Sequence, residues 1–69
     1  MLKHIEFVVY CVETYASAKG MNGRSAYKML LNNGVINYID DGYDVLHTFG
    51  DSNIVYHIDE FLQHNANVA

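Results

Sequence analysis

The chain has no proline and a single cysteine among its 69 residues. Without proline, only glycine is left to break a helix. One cysteine excludes an internal disulfide, and it excludes a four-cysteine zinc cluster as well. Basic side chains are scarce too: Lys3, Lys19, Arg24 and Lys28 are all there are, and none follows Lys28. The apolar run Phe7–Val12 is too short to cross a bilayer and is followed at once by Glu13. Nothing at the N-terminus reads as a signal peptide, so a cytoplasmic, reduced protein with no membrane association is expected. There is no internal repeat, low-complexity tract or linker, and residues 1–69 are read as one domain.

A domain this small buries only about 60% of the surface that its unfolded chain exposes. Natural domains of this size gain stability from disulfides, a metal or a partner subunit. With disulfides excluded, a partner surface is the expected supplement. The apolar fraction of 51%, with six Tyr and three Phe, is generous for so small a core and points the same way, toward a homodimer. Charge is lopsided: residues 1–34 carry +2, whereas residues 35–69 carry −6 with no Lys or Arg at all. An acidic half repels phosphate backbones and attracts a basic protein surface.

Four helices are expected, making an all-α fold, a compact bundle of short helices over about 3–19, 24–32, 35–48 and 52–64. The chain is built around the third, VINYIDDGYDVLHTFG. Wound at about 100° per residue, it gathers Val35, Ile36, Tyr38, Ile39, Gly42, Tyr43, Val45 and Leu46 on one side and Asn37, Asp40, Asp41 and Asp44 on the other. A strand would put Ile39 and Asp41 on the same face. The first segment could be a buried strand, since FVVYCV is rich in β-branched and aromatic residues. Helix is favoured because Ile5, Val8, Val9, Val12 and Ala16 form one stripe and because Lys19-Gly20 makes a good helix end. Asn22 is a suitable N-cap for the second helix, Gly34 a left-handed stop for it, and Asp51 or Ser52 a cap for the fourth. That last helix carries Ile54, Val55, Ile58, Phe61 and Leu62 at helical spacing, and residues 65–69 are expected to fray.

No constellation specifies a reaction. The unit Ser25 to Leu46 has the outline of a helix-turn-helix, but its second helix offers Asp40, Asp41 and Asp44 where DNA recognition needs Arg, Lys, Asn or Gln. The alternative reading of a small nucleic-acid-binding regulator would depend on Lys19, Arg24 and Lys28. His57, Glu60 and His64 lie along one edge of the last helix, yet a zinc site needs three or four converging ligands, so no metal and no cofactor is expected. His47 stands one turn after Asp44 and beside Thr48; a His–Asp pair can orient a base, but no nucleophile is tied to it. Bonding of helix-end carbonyls is the expected use of its ring. Cys11 falls among apolar neighbours and reads as a small buried hydrophobe. No catalytic residue is assigned; Asp40, Asp41, Tyr43, Asp44, His47 and Thr48 remain as candidate interaction residues.

The Y-C-x-E-x-Y segment from Tyr10, the G-V-x-x-Y-I segment from Gly34, the Y-x-x-L-H-T-x-G block from Tyr43 and the closing Ile58-Asp59-Glu60-Phe61-Leu62 resemble a family of short bacterial proteins of unknown function. The match spans nearly the whole chain, with Gly42 and the polar tail as departures. The resemblance implies a small all-helical protein, a neighbour of larger proteins that look like ADP-ribosyltransferases, and so the antitoxin-like or regulatory member of a protein pair. The expected function is a non-enzymatic protein-interaction module whose partner carries a basic surface.

Overall fold

A computed structural model describes the backbone of residues 1–68 and the side chains of residues 1–65. Five helices and no strand occur among them: α1 (Ile5–Lys19), α2 (Gly23–Asn32), α3 (Val35–Asp41), α4 (Tyr43–Leu46) and α5 (Asp51–Val68). The segment Phe7–Val12 is helical, within α1. Its stripe is set by 3.6-residue periodicity: Val8, Cys11, Val12, Tyr15 and Ala16 are buried. α1 is the central element, packed against α2, α3 and α5. The helices make a body of 29 × 24 × 24 Å.

Local chemistry fixes the helix ends. Gly20, at φ +68°, follows α1 in a left-handed conformation; its N–H donates to the Ser17 carbonyl and that of Met21 to Ala16 at 2.9 Å, a Schellman closure. Asn22 caps α2, its Oδ1 accepting from the Ser25 N–H at 2.8 Å. Gly34, at φ +76°, turns the chain from α2 into α3.

The third expected helix, 35–48, is in fact two. It breaks at Gly42, giving α3 and the single turn α4, and the helical run stops at Leu46. A Cβ at Gly42 would lie 3.0 Å from the Tyr38 carbonyl oxygen and 3.1 Å from Leu46 Cδ1. The chain turns there because only a residue without a side chain lets Leu46 fold back over α3 into the core. A second correction concerns Asp51, which opens α5 as its first residue rather than capping it; the Gly50 carbonyl already accepts from Ile54.

The core comprises Val8, Cys11, Val12, Tyr15 and Ala16 from α1, Ala26 and Leu30 from α2, Val35, Ile36 and Ile39 from α3, Leu46 from α4, and Ile54 and Ile58 from α5. Tyr38 stacks on Phe61, 4.4 Å between centroids, and ties α3 to α5. The backbone of α5 runs on through Val68, beyond the expected end at 64; of the expected frayed tail, the side chains of 66–68 and all of residue 69 lie outside the described residues. No helix of the described chain is long and apolar enough to cross a membrane.

The candidate site at the α3–α4 corner

Asp40 is where sequence and structure differ most. Helical spacing puts it on the polar face of α3, yet it is 6% exposed. Its carboxylate accepts the Lys3 N–H at 3.0 Å on both oxygens and the His4 N–H at 2.7 Å on Oδ1. These N–H groups lead into α1, whose N-cap residue His4 supplies no side-chain cap of its own. Asp40 therefore does from α3 what a local cap would do, and it places a negative charge at the positive end of the α1 dipole. The Lys3 N–H bond, with that of His4 and against the opposing effect of desolvation, holds its carboxyl below the usual carboxylate range.

Fixing residues 3 and 4 sets the position of the His4 ring. It stacks on Tyr43 at 3.9 Å and 7°, and Tyr43 in turn stacks on His47 at 4.4 Å and 10°. Phe7 closes the base of the Tyr43 ring edge-on at 5.2 Å. The result is a three-ring pile at the surface beside a shallow depression of about 430 Å³ lined by Lys3, His4, Ile5, Glu6, Phe7, Tyr43 and His47. His47 Nδ1 lies 2.6 Å from the Tyr43 carbonyl, which can only accept, so Nδ1 carries the proton and Nε2 is left as an acceptor. This is the contact expected of a helix-end histidine. No hydrogen bond among the described residues joins His47 to Asp44. Thr48 Oγ1 donates to the Val45 carbonyl at 2.7 Å and closes the same turn.

Of the six candidate residues, the structure brings Tyr43 and His47 together, and Asp41, Asp44 and Thr48 are exposed. Asp40 lies beneath, as the residue that positions His4. Sequence reasoning missed His4 and Phe7. They are some forty residues from Tyr43, and no local pattern links them to it.

Elsewhere the acidic half is partly committed to holding α5 on α1. Asp59 accepts from the Tyr15 hydroxyl at 2.8 Å and from Lys19 Nζ at 2.7 Å, and Asp51 accepts from the Tyr10 hydroxyl. Desolvation pushes the Asp59 carboxyl up, but the Lys19 ammonium and the Tyr15 hydroxyl outweigh it and hold it below the usual range. Burial, then the hydrogen bond and charge of Asp59, push the Tyr15 hydroxyl up to about 12. Lys19 is thus engaged, and of the three cations expected to serve nucleic acid only Arg24 and Lys28 stand apart from that pair. His57 lies flat on Phe49 at 4.7 Å. Among the described residues no three His, Cys, Asp or Glu side chains are grouped to hold a metal ion.

A family model described as "Protein of unknown function (DUF3791)" matches residues 6–65. No curated protein and no solved structure matches the chain.

Proposed function

The chain belongs to that family of unknown function, and we propose that it serves as a non-enzymatic protein-interaction module whose docking surface is the α3–α4 corner. One observation carries this reading: the His4–Tyr43–His47 pile is presented at the surface, on the same short α3–α4 segment that exposes Asp41, Asp44 and Val45. Flat rings on a rigid base are favoured interface anchors, because they give large contact area with little entropy left to lose. Two exposed carboxylates on the segment that carries such an anchor select a basic partner surface. The resemblance noted for the Y-x-x-L-H-T-x-G block supports the role of regulatory or antitoxin-like member of a bacterial protein pair, for which a small cytoplasmic binding module is apt.

The experiment is capture from an extract of the native host on immobilised protein, comparing the wild type with Asp41→Lys/Asp44→Lys. A partner retained by the wild type, released as salt rises and lost by the double variant is the expected result. Equal capture by both proteins overturns the assignment of the corner.

A further inference from the structure

The outer side of α1 and α2 carries apolar side chains that the core does not use. The short turn after Gly20 sends the chain back, so the two helices lie antiparallel with an open groove of about 390 Å³ between them. Ile5 is 57% exposed in that groove, Val9 49% and Tyr27 41%; Leu31, one turn beyond Tyr27, is 48% exposed. Glu13 and Gly23 both contribute to the lining.

Charge is ordered about this groove. Glu6 and Glu13, seven residues apart, run along one ridge of α1, while Arg24 and Lys28, four apart, run along the far ridge of α2. All four are exposed, and the ion pair found among the described residues, Lys19 with Asp59, uses none of them. An acidic ridge, an apolar groove and a basic ridge in that order form a surface complementary to itself. A two-fold axis parallel to the helices turns the face over and lays α1 of one copy across α2 of the other. Acid then meets base on both flanks, with apolar side chains between. Glu13 lies in the half of α1 nearer the Gly20 turn and Arg24 opens α2 just after it; this axis preserves level, so Glu13 comes opposite the partner's Arg24. A two-fold axis across the helices would set acid on acid, so charge selects the first arrangement.

We propose that the α1–α2 face binds a second copy of this chain, forming an isologous homodimer in which Glu13 pairs with Arg24 across the axis and Val9 and Tyr27 meet at its centre. A domain of this size gains from such a partner. The proposal goes beyond the reading of the α3–α4 corner: Ile5 and Glu6 border both surfaces, while Val9, Glu13 and Tyr27 lie outside the corner depression.

Sedimentation equilibrium over a concentration series tests it, on the wild type, Val9→Lys, Glu13→Arg, Arg24→Glu and the combined Glu13→Arg/Arg24→Glu protein. Circular dichroism shows that each keeps its helices, as replacement of exposed side chains allows. The wild type is expected to pass from monomer to dimer as concentration rises. Val9→Lys is expected to be monomeric. Each single charge reversal should weaken the dimer by about tenfold, since every reversal acts at two symmetric pairs, and the combined reversal should restore it. A wild type that is monomeric throughout overturns the proposal. So does a dimer indifferent to Val9→Lys, and so do single reversals that the combined protein fails to rescue. Asp41→Lys/Asp44→Lys should dimerise as the wild type does, which keeps this test separate from that of the corner.

Discussion

Asp40 shows how one side chain can serve an element distant in sequence. Both carboxylate oxygens face N–H groups. An asparagine would turn its own N–H₂ toward one of them, donor against donor. Asp40→Asn is therefore expected to lower the melting temperature, to speed hydrogen exchange at the amides of Lys3 and His4, and to loosen the ring pile that His4 begins. The acid limb should change as well. Asp40 and Asp59 have folded pKa values below the ordinary carboxyl value of about 3.9, so their stabilisation is complete above that value and disappears as pH falls through the folded pKa. Asp40→Asn should show a shallower loss of stability on acidification than the wild type.

Cys11 gives the opposite sign. It is fully buried, and desolvation pushes its thiol from 9.0 up to about 12. The unfolded chain gives up this proton first, so rising pH favours unfolding from about pH 9 upward, with Tyr15 adding to the trend from about pH 10. Cys11→Ala should flatten that alkaline slope in urea titrations, whatever its effect on stability at neutral pH. In the wild type, thiol reagents should react only at the rate of unfolding.

At the scale of elements, the corner between α3 and α4 departs from periodicity. A mid-helix glycine ordinarily costs about 1 kcal/mol against alanine, which makes Gly42→Ala look stabilising. The crowding at Gly42 reverses that expectation, because the nearest neighbour is the Tyr38 backbone oxygen, which cannot swing aside as a side-chain tip could. Overpacking of about 1–3 kcal/mol exceeds the propensity gain, so Gly42→Ala should lose about 1 kcal/mol in denaturant unfolding. A gain in stability would show that α3 and α4 can straighten into one helix. The α1–α5 seam depends on polar contacts from Tyr10, Tyr15 and Lys19. The Lys19–Asp59 pair is well exposed on both sides and adds well under 1 kcal/mol by itself.

Over the whole molecule, thirteen buried apolar residues hold five helices together, and a chain of this length has a total stability of only about 3–10 kcal/mol. Leu30 is completely buried at the centre of the α2 contribution. Leu30→Ala removes about 3 kcal/mol, a large part of that total, and should leave the protein substantially unfolded at physiological temperature by circular dichroism. A small fall in the urea midpoint alone, with native helicity kept, would mean that the core collapses around the gap.

Local pattern was enough to give the all-helical class, the inward stripes of α1 and α5, the Asn22 cap, the helix end at Gly20 and the left-handed stop at Gly34. Each of these depends on residues within about four positions of one another, where helical geometry alone decides who meets whom. Local pattern also named Tyr43 and His47 among the candidate residues, but it paired His47 with Asp44, whereas the ring stacks on Tyr43 and meets its carbonyl. The burial of Asp40 came from packing, because its partners are backbone N–H groups 36 and 37 residues away, and a polar residue on a polar face gives no local sign of being covered. Packing also brought His4 onto Tyr43 and broke the third helix at Gly42, where the crowding comes from how Leu46 enters the core. Periodicity encodes which way a side chain faces on its own helix, and what waits there is settled when the helices meet.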